Sequence, residues 1–467
     1  MTLASSLQAL LGDRFVDDPT TMAPYLEDER GLYRGEAACL VFPKTTAEVS
    51  AIVSQCAEHG YAVVPQGGNT GYCGGATPMG KEQVLLNLSK LDRVRAIDPV
   101  GMTITVEAGV ILSVLQDAAD SEGLMFPLSM GSEGSCQIGG NLSTNAGGLS
   151  VLKYGTAAEL VLGLEVVLAS GEVLDLLKPL RKDNTGYHLE RLFLGAEGSL
   201  GVITAATLKL FPANTERQTA WLAAPDVAAV CRLLPLARSR SGDTVTSFEY
   251  ICRDSLDLVL QHVEGQRAPL QAPQDHHVLI ELSAPLAPGS LRAQLEDLLE
   301  AAFTDGLALD AVIAESEAQR RQLWKLRESI PEAEKLAGRS IKHDVSVAID
   351  RIPEYVAAAP GRLAEIPNPR LSIYGHIGDG NLHYNVLAPE ASDAEQYKTR
   401  YGSAVSEALH DLAAEMGGSF SAEHGVGQLK SAELARYAEP AALALMKTLK
   451  HSLDPDGVFN PGKVIEP

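Results

Sequence analysis

At 467 residues the chain is long for a single core, so two domains are expected. Hydrophobic residues make up 45% and the formal net charge is -22, which argues against nucleic acid or an anionic membrane as partner, because both need basic surface. The 6 cysteines show no Cys-x-x-Cys spacing, against an iron–sulfur cluster, a zinc ribbon or a disulfide framework. The N-terminal stretch lacks a basic region before its short apolar run, and no apolar run is long enough to span a bilayer, so a cytoplasmic enzyme without a signal peptide is expected.

Residues 1 to about 35 read as a short helix and a polar lead-in. From Ala38 the pattern sharpens into a strand, a helix over 47–59 capped by Thr46, and a second strand at 62–65. This β-α-β unit delivers Gln66–Gly75, with five glycines in ten residues. Such a loop can turn several backbone N–H groups toward one point, which is how a phosphate is held without a dedicated cation. Alone it would read as a flexible turn. Residues 131–148 form a second loop of the same chemistry, and Gly195-Ala196-Glu197-Gly198-Ser199-Leu200-Gly201 is a third. Strands at 84–88, 103–108, 162–168, 173–176 and 201–210 separate them, which suggests a large phosphate-bearing ligand lying extended across an α+β domain. No Gly-x-Gly-x-x-Gly opens a helix after a strand and no Walker A sequence occurs, so neither the Rossmann nor the P-loop solution applies.

From about 213 the glycine density falls. Helices near 226–238, 291–304 and 317–337 alternate with strands near 245–251, 277–283 and 340–349, as in an antiparallel sheet covered by helices. A hairpin over 371–387 and a long helix over 393–416 complete the region. Asp379-Gly380 is read as a two-residue type I′ turn, which sets Ile377 opposite Leu382, His376 opposite His383 and Tyr374 opposite Asn385. Directly paired side chains are close enough for two imidazoles to share a metal ion, and Glu423-His424-Gly425 follows downstream. For a lone histidine a polar surface role would be the default; two facing histidines point to a metal site. The chain closes on a turn-rich Asn460-Pro461-Gly462-Lys463 segment that on composition alone could be only a tail.

Pro65-Gln66-Gly67-Gly68-Asn69-Thr70-Gly71, Gly139-Gly140-Asn141 through Gly148, and Leu194 through Thr204 resemble the FAD-binding half of the vanillyl-alcohol-oxidase, or p-cresol methylhydroxylase (PCMH)-type, flavoproteins. With Gly375–His383 and Glu423–Gly427 added, the likeness narrows to the FAD-dependent D-2-hydroxyacid dehydrogenases, and Arg181–Tyr187 is typical of the branch acting on 2-hydroxyglutarate. It covers roughly residues 38 to 465. The resemblance implies an α+β fold with a two-part PCMH-type FAD-binding domain over 1–212, a cap domain with an antiparallel sheet and the metal site over 213–430, and a segment 431–467 returning near the FAD. It further implies that FAD is held by Pro65, Gln66, Gly67, Gly68, Asn69, Thr70 and Gly71. The second loop would contribute Gly131, Ser132, Gly134, Ser135, Gly139, Gly140, Asn141, Thr144, Asn145, Gly147 and Gly148; the third Gly198, Gly201, Val202 and Ile203; the tail Asn460. Some relatives attach FAD through a histidine in the first loop; Asn69 and Thr70 stand there, so non-covalent FAD is expected. A ligand-adjacent role for Asn184, Thr185 and Tyr187 rests on similarity alone.

Oxidising a 2-hydroxyacid removes a hydride from C2, for which FAD is the acceptor, and a proton from the hydroxyl. His376, His383 and Glu423 then form a His₂Glu site with room for substrate, zinc being the first choice and manganese, iron or cobalt also suited. His424 is the expected general base, against a role as fourth ligand or turn histidine. Asn385 and Lys463 are expected to meet the substrate, and Arg327 and Lys342 match positions that hold the far carboxylate in 2-hydroxyglutarate dehydrogenases. Pro331 stands one helical turn after Arg327, where the resembling enzymes carry a hydroxyl; it cannot donate and should kink or restart the helix. D-Lactate, D-malate or glycolate therefore remain alternative substrates. The expected electron acceptor is an electron-transfer flavoprotein or quinone, and a homodimer the expected assembly. Two other classes stay open: a flavin-free metal hydrolase and a non-catalytic flavin-binding subunit.

Overall fold

A computed structural model describes residues 2–390 and 392–465. The chain divides into two compact units, the first comprising residues 1–147, 154–212 and 423–467 and the second residues 148–153 and 213–422.

In the first unit, among the described residues, β1 (Phe15–Val16), β2 (Cys39–Val41), β3 (Ala62–Gln66) and β4 (Gln83–Asn87) form a sheet in the order β1-β2-β4-β3. The helix Thr46–His59 covers it, with Thr45 rather than Thr46 as the cap: the Thr45 side chain accepts from Glu48 N while Thr46 Oγ1 donates to Glu165 at 2.6 Å. A second, antiparallel sheet takes β5 (Val94–Asp98), β6 (Thr103–Glu107), β8 (Val161–Val167), β9 (Val173–Asp175) and β10 (Val202–Lys209) in the order β5-β6-β10-β8-β9. A short ribbon pairs β7 (Leu124–Met125) with β11 (Phe211–Pro212). Each sheet has its own apolar core; that of the first includes Val63, Val84 and Leu86, that of the second Ile104, Val106 and Leu208. The tail returns to β3, where Val63 N donates to Val458 O at 2.7 Å and Asn460 N to Val63 O at 2.9 Å.

The second unit is built on an antiparallel sheet of β12 (Glu216–Ala224), β13 (Val245–Cys252), β14 (His276–Ala284), β15 (Asp310–Ile313), β16 (Ser340–Ile341), β17 (Asp344–Ser346), β18 (Arg370–Gly375) and β19 (Asn381–Leu387). The order is β15-β12-β14-β13-β18-β19-β16, with β17 also on β19. Alternate residues serve two cores: Ala220, Leu222 and Ala224 of β12 enter one and Trp221 and Ala223 the other, so this strand is covered on both faces. The helix Glu317–Glu328 packs on the second face. Its buried positions Leu323, Trp324 and Arg327 recur at helical spacing, and Glu281 of β14 anchors it by accepting from Arg320 Nε (2.7 Å) and Trp324 Nε1 (2.7 Å). A new helix, Ile330–Leu336, begins with Pro331 in its first turn, so the expected 317–337 helix is interrupted as a proline requires. The expected 340–349 strand is likewise split into β16 and β17.

The hairpin differs from its expected register. Tyr374, not His376, lies opposite His383, and Ser372 lies opposite Asn385. Residues 376–380 form the connection, of which Ile377–Asp379 is a turn of 3₁₀ helix. Gly380 has φ +90° whereas Asp379 is not left-handed, so the type I′ geometry that needs both is not adopted. Instead Asp379 N and Asn381 N both donate to His376 O, at 3.1 and 3.2 Å.

Candidate functional site

In the first unit, Gly67–Gly71 leave the end of β3 and meet the second glycine-rich loop. A Cβ at Gly68 would lie 2.1 Å from Ser135 O, so the two main chains touch where only glycine fits. The third loop closes on the same strand, with Gly198 against Pro65. A cleft of about 740 Å³ is lined by Gln66, Gly67, Gly68, Asn69, Asn87 and Gln137. Gln137 Oε1 is buried there without a partner among the described residues, which suits a ligand carrying donors such as FAD. Gly139, Gly140 and Asn141 sit on the helix Ile138–Ser143, which Thr144 ends, while Asn145 takes φ +50° and accepts from Ala158 N at 2.9 Å. Gly201, Val202 and Ile203 pack in the interior at the start of β10. Tyr187, in contrast, is 94% exposed.

The segment carrying Glu423 and His424 belongs to this first unit, not to the second as the expected boundary at 430 implied. Its anchors explain why. Glu197 of the third loop accepts Val426 N at 2.6 Å and Gly427 N at 2.8 Å, and Gln428 N and Leu429 N donate to Cys73 O. Burial pushes the Glu197 carboxyl up, against the pull of those two N–H groups. The Tyr72 ring meets His424 edge-on with centroids 4.9 Å apart. Asn460 Nδ2 ties the Gly75 and Glu197 carbonyls (3.0 and 2.7 Å), so its contacts brace two loops. Val464 N donates to Gly427 O, and beside it the Lys463 amine is buried, with one long bond among the described residues, 3.4 Å to Pro461 O. Burial lowers its pKa to about 8.

In the second unit, the face of β19 that bears His383 and Asn385 also bears the apolar cluster of Trp324 and Tyr374. His376 and His383 have ring centroids 5.7 Å apart. Register places a carboxylate beside them: Tyr250 pairs with Gly375 and Ile251 with Tyr374, so the next position brings Glu249 opposite His376. Glu249 Oε1 bonds His376 Nδ1 at 2.7 Å, and its Oε2 accepts from Arg327 Nε at 2.8 Å. Burial raises its pKa, but the attraction of His376 and Arg327 outweighs that and holds it well below the usual carboxylate range. Asp344 Oδ1 lies 3.9 Å from His383 Nδ1 and accepts from Asn381 Nδ2 at 2.9 Å.

Arg327 and Lys342, expected at the substrate's far end, and Asn385, expected at the substrate carboxylate, already have partners here. Arg327 bonds Glu249 and lies over Tyr374 at 4.7 Å, and Lys342 Nζ is 3.4 Å from Glu334. Asn385 gives Nδ2 to Glu334 (2.8 Å) and takes His343 N at Oδ1 (2.9 Å). Glu249, Glu334, Asp344 and Glu197 are absent from the sequence-based site. A signal was available for Glu249: it is the one acid in the otherwise apolar or hydroxyl-bearing strand Val245–Cys252, and a buried acid needs a reason. Among the described residues none of the 6 cysteines is joined in a disulfide.

Residues 37–177 match the family described as FAD binding domain, and residues 213–464 match the FAD linked oxidases, C-terminal domain. The mitochondrial D-2-hydroxyglutarate dehydrogenase of Arabidopsis thaliana is 38% identical over 462 residues, 99% of this chain and 81% of the relative. The mitochondrial D-2-hydroxyglutarate dehydrogenase of Bos taurus is 39% identical over 462 residues, 99% of this chain and 83% of the relative. Among solved structures, p-cresol methylhydroxylase with substrate bound has the same fold, with a TM-score of 0.77 at 18% identity over 99% of this chain and 96% of its own. The chain therefore belongs to the FAD-linked oxidase family, with a PCMH-type fold. Within that family it is an FAD-dependent dehydrogenase of D-2-hydroxyacids. The expected cytoplasmic location is corrected by these relatives, both of which are mitochondrial. Among the described residues no helix is long and apolar enough to cross a membrane.

Proposed function

We propose that the enzyme oxidises D-2-hydroxyglutarate to the 2-oxoacid, with His376, His383 and Glu423 holding a divalent metal, zinc in the first instance, and His424 as general base. The observation that carries the metal reading is the His376–Glu249 bond: a buried carboxylate on Nδ1 orients the ring so that Nε2 is the coordinating nitrogen, the arrangement metal-binding histidines use. The substrate name is supported by the relatives in Arabidopsis thaliana and Bos taurus. FAD, when bound, supplies the hydride acceptor, and a metal ion supplies a Lewis acid. His424 takes the hydroxyl proton at a ring nitrogen, its imidazole backed by Tyr72 and its chain pinned through Val426 and Gly427 to Glu197. Lys463 offsets the charge of the substrate carboxylate, and a bound anion would raise its depressed pKa. Arg327 and Lys342 serve the far carboxylate, and electrons leave to an electron-transfer flavoprotein or a quinone.

A specific observation favours a second reading of the far end. Pro331 supplies no hydroxyl, and Arg327 and Lys342 are each beside a buried glutamate, which fits a hydroxyacid with a short or neutral tail, such as D-lactate. Anaerobic flavin reduction across D- and L-2-hydroxyacids, repeated after chelation and zinc add-back, tests both. Preference for D-2-hydroxyglutarate with loss and recovery of rate is expected. D-Lactate winning by a large factor would remove the assigned roles of Arg327 and Lys342, and a rate indifferent to chelation would remove the metal.

A further inference from the structure

The second unit closes a ring of side-chain contacts that joins the two ends of the proposed substrate site. Arg327 lies over the Tyr374 ring at 4.7 Å, Tyr374 meets His383 with centroids 5.0 Å apart, and His383 meets His376 at 5.7 Å. His376 bonds Glu249 at 2.7 Å, and Glu249 returns to Arg327 at 2.8 Å. Glu249 hydrogen-bonds both a proposed metal ligand, His376, and a proposed substrate cation, Arg327. We infer that Glu249 is a shared positioning residue, fixing the ring orientation of His376 for metal binding with one carboxylate oxygen and the reach of Arg327 with the other. This rests on the reading of His376 as a metal ligand.

Three features support a positioning role over mere burial. The Glu249 side chain is 1% exposed, so solvent does not compete for either oxygen. Each oxygen has a single, different partner, so the carboxylate cannot rotate without breaking one bond. A second buried acid on the same sheet face, Glu281, provides an internal contrast: it also binds an arginine of the helix Glu317–Glu328, through Arg320, but its other partners are Thr219 and Trp324 rather than a histidine. If burial were all that mattered, the two glutamates would be equivalent.

The test compares Glu249→Gln, Glu281→Gln and the paired Glu249→Gln/Arg327→Met as FAD-loaded, zinc-stripped proteins. Zn²⁺ uptake is measured by equilibrium dialysis with elemental analysis, and Tm alongside. The paired variant guards against misfolding, because it leaves no buried arginine without its carboxylate. Zinc affinity about 10- to 100-fold weaker is expected in both Glu249 variants, with Glu281→Gln lowering Tm but leaving zinc affinity at the wild-type value. In a His376→Asn background, Glu249→Gln should add little further loss, since its effect runs through that ring. Wild-type zinc affinity in the paired variant, or a full additional loss on top of His376→Asn, would overturn the role of Glu249. A wild-type protein that takes up no zinc would overturn the metal reading itself.

Discussion

In the first unit the cleft is walled by main chain, with Gly67 and Gly68 laid against the 131–140 loop and Gly198 against Pro65. In the second unit the polar centre is a ring of side chains drawn from β13, β18, β19 and the helix Glu317–Glu328. The two constructions fail differently. A main-chain wall tolerates many side-chain changes but no added Cβ at its contact points, whereas a ring of charges survives small steric changes and is broken by loss of one carboxylate.

Gly68→Ala gives the largest effect on the first construction. Its Cβ would sit 2.1 Å from a main-chain carbonyl, which no rotamer change relieves. FAD affinity should drop on the order of a thousandfold, read as the flavin-to-protein absorbance ratio after gel filtration. Glu249→Gln should keep its flavin. If Gly68→Ala kept full flavin, the cleft at Gln66–Asn69 would not be where FAD is held.

Two pH experiments probe the charge content of each unit. In the second unit His277 is buried as the neutral acceptor of Trp221 Nε1 at 3.1 Å, and burial lowers its pKa from 6.5 to about 4. Between those values the unfolded chain binds the extra proton, so the contribution is full above pH 6.5 and lost as pH falls toward 4, by about 3 kcal/mol. Denaturant midpoints of wild type and His277→Gln across that window should converge as pH falls; parallel curves would refute the buried neutral imidazole. In the first unit, Lys463 has its pKa lowered by burial from 10.5 to about 8, so the folded state is penalised for holding the cation. Stability should rise with pH across that interval by up to about 3 kcal/mol, and Lys463→Met should flatten the rise. Added FAD or substrate that leaves the wild-type slope unchanged would show that no anion reaches Lys463.

The same contrast explains what could be read from the sequence. Glycine-rich loops are contiguous, so 66–71, 131–148 and 195–201 announce a phosphate-bearing ligand before any fold is known. The histidine pair was also visible, but its geometry was not. Type I′ pairing of Asp379-Gly380 would set His376 directly across from His383, whereas the five-residue connection leaves Tyr374 there and carries His376 beyond the ladder, opposite Glu249. No local pattern reports that contact, because Glu249 and His376 are 127 positions apart in sequence and meet only through the register of β13 with β18. Glu423 shows the same limit. It follows β17's neighbour Ala422 in the chain, yet its loop is held in the first unit by Glu197 and Cys73.

Glu197 itself allows the finest test, because it belongs to the third glycine-rich loop and yet its carboxylate serves the His424 segment. Both oxygens accept backbone N–H groups, from Val426 and Gly427. A glutamine has one acceptor and turns an NH₂ toward the other N–H, leaving a buried donor unsatisfied at a cost of about 1–3 kcal/mol. The strain falls on residues two and three positions after His424, so the imidazole should lose its alignment while the cleft at Gln66–Gln137 is untouched. Glu197→Gln should therefore keep a wild-type flavin-to-protein ratio and lower kcat about 10- to 100-fold with little change in KM, the signature of a displaced base. Loss of flavin in step with turnover would instead assign Glu197 to the cofactor wall, and the first unit's cleft would then depend on a side-chain carboxylate as well as on main chain.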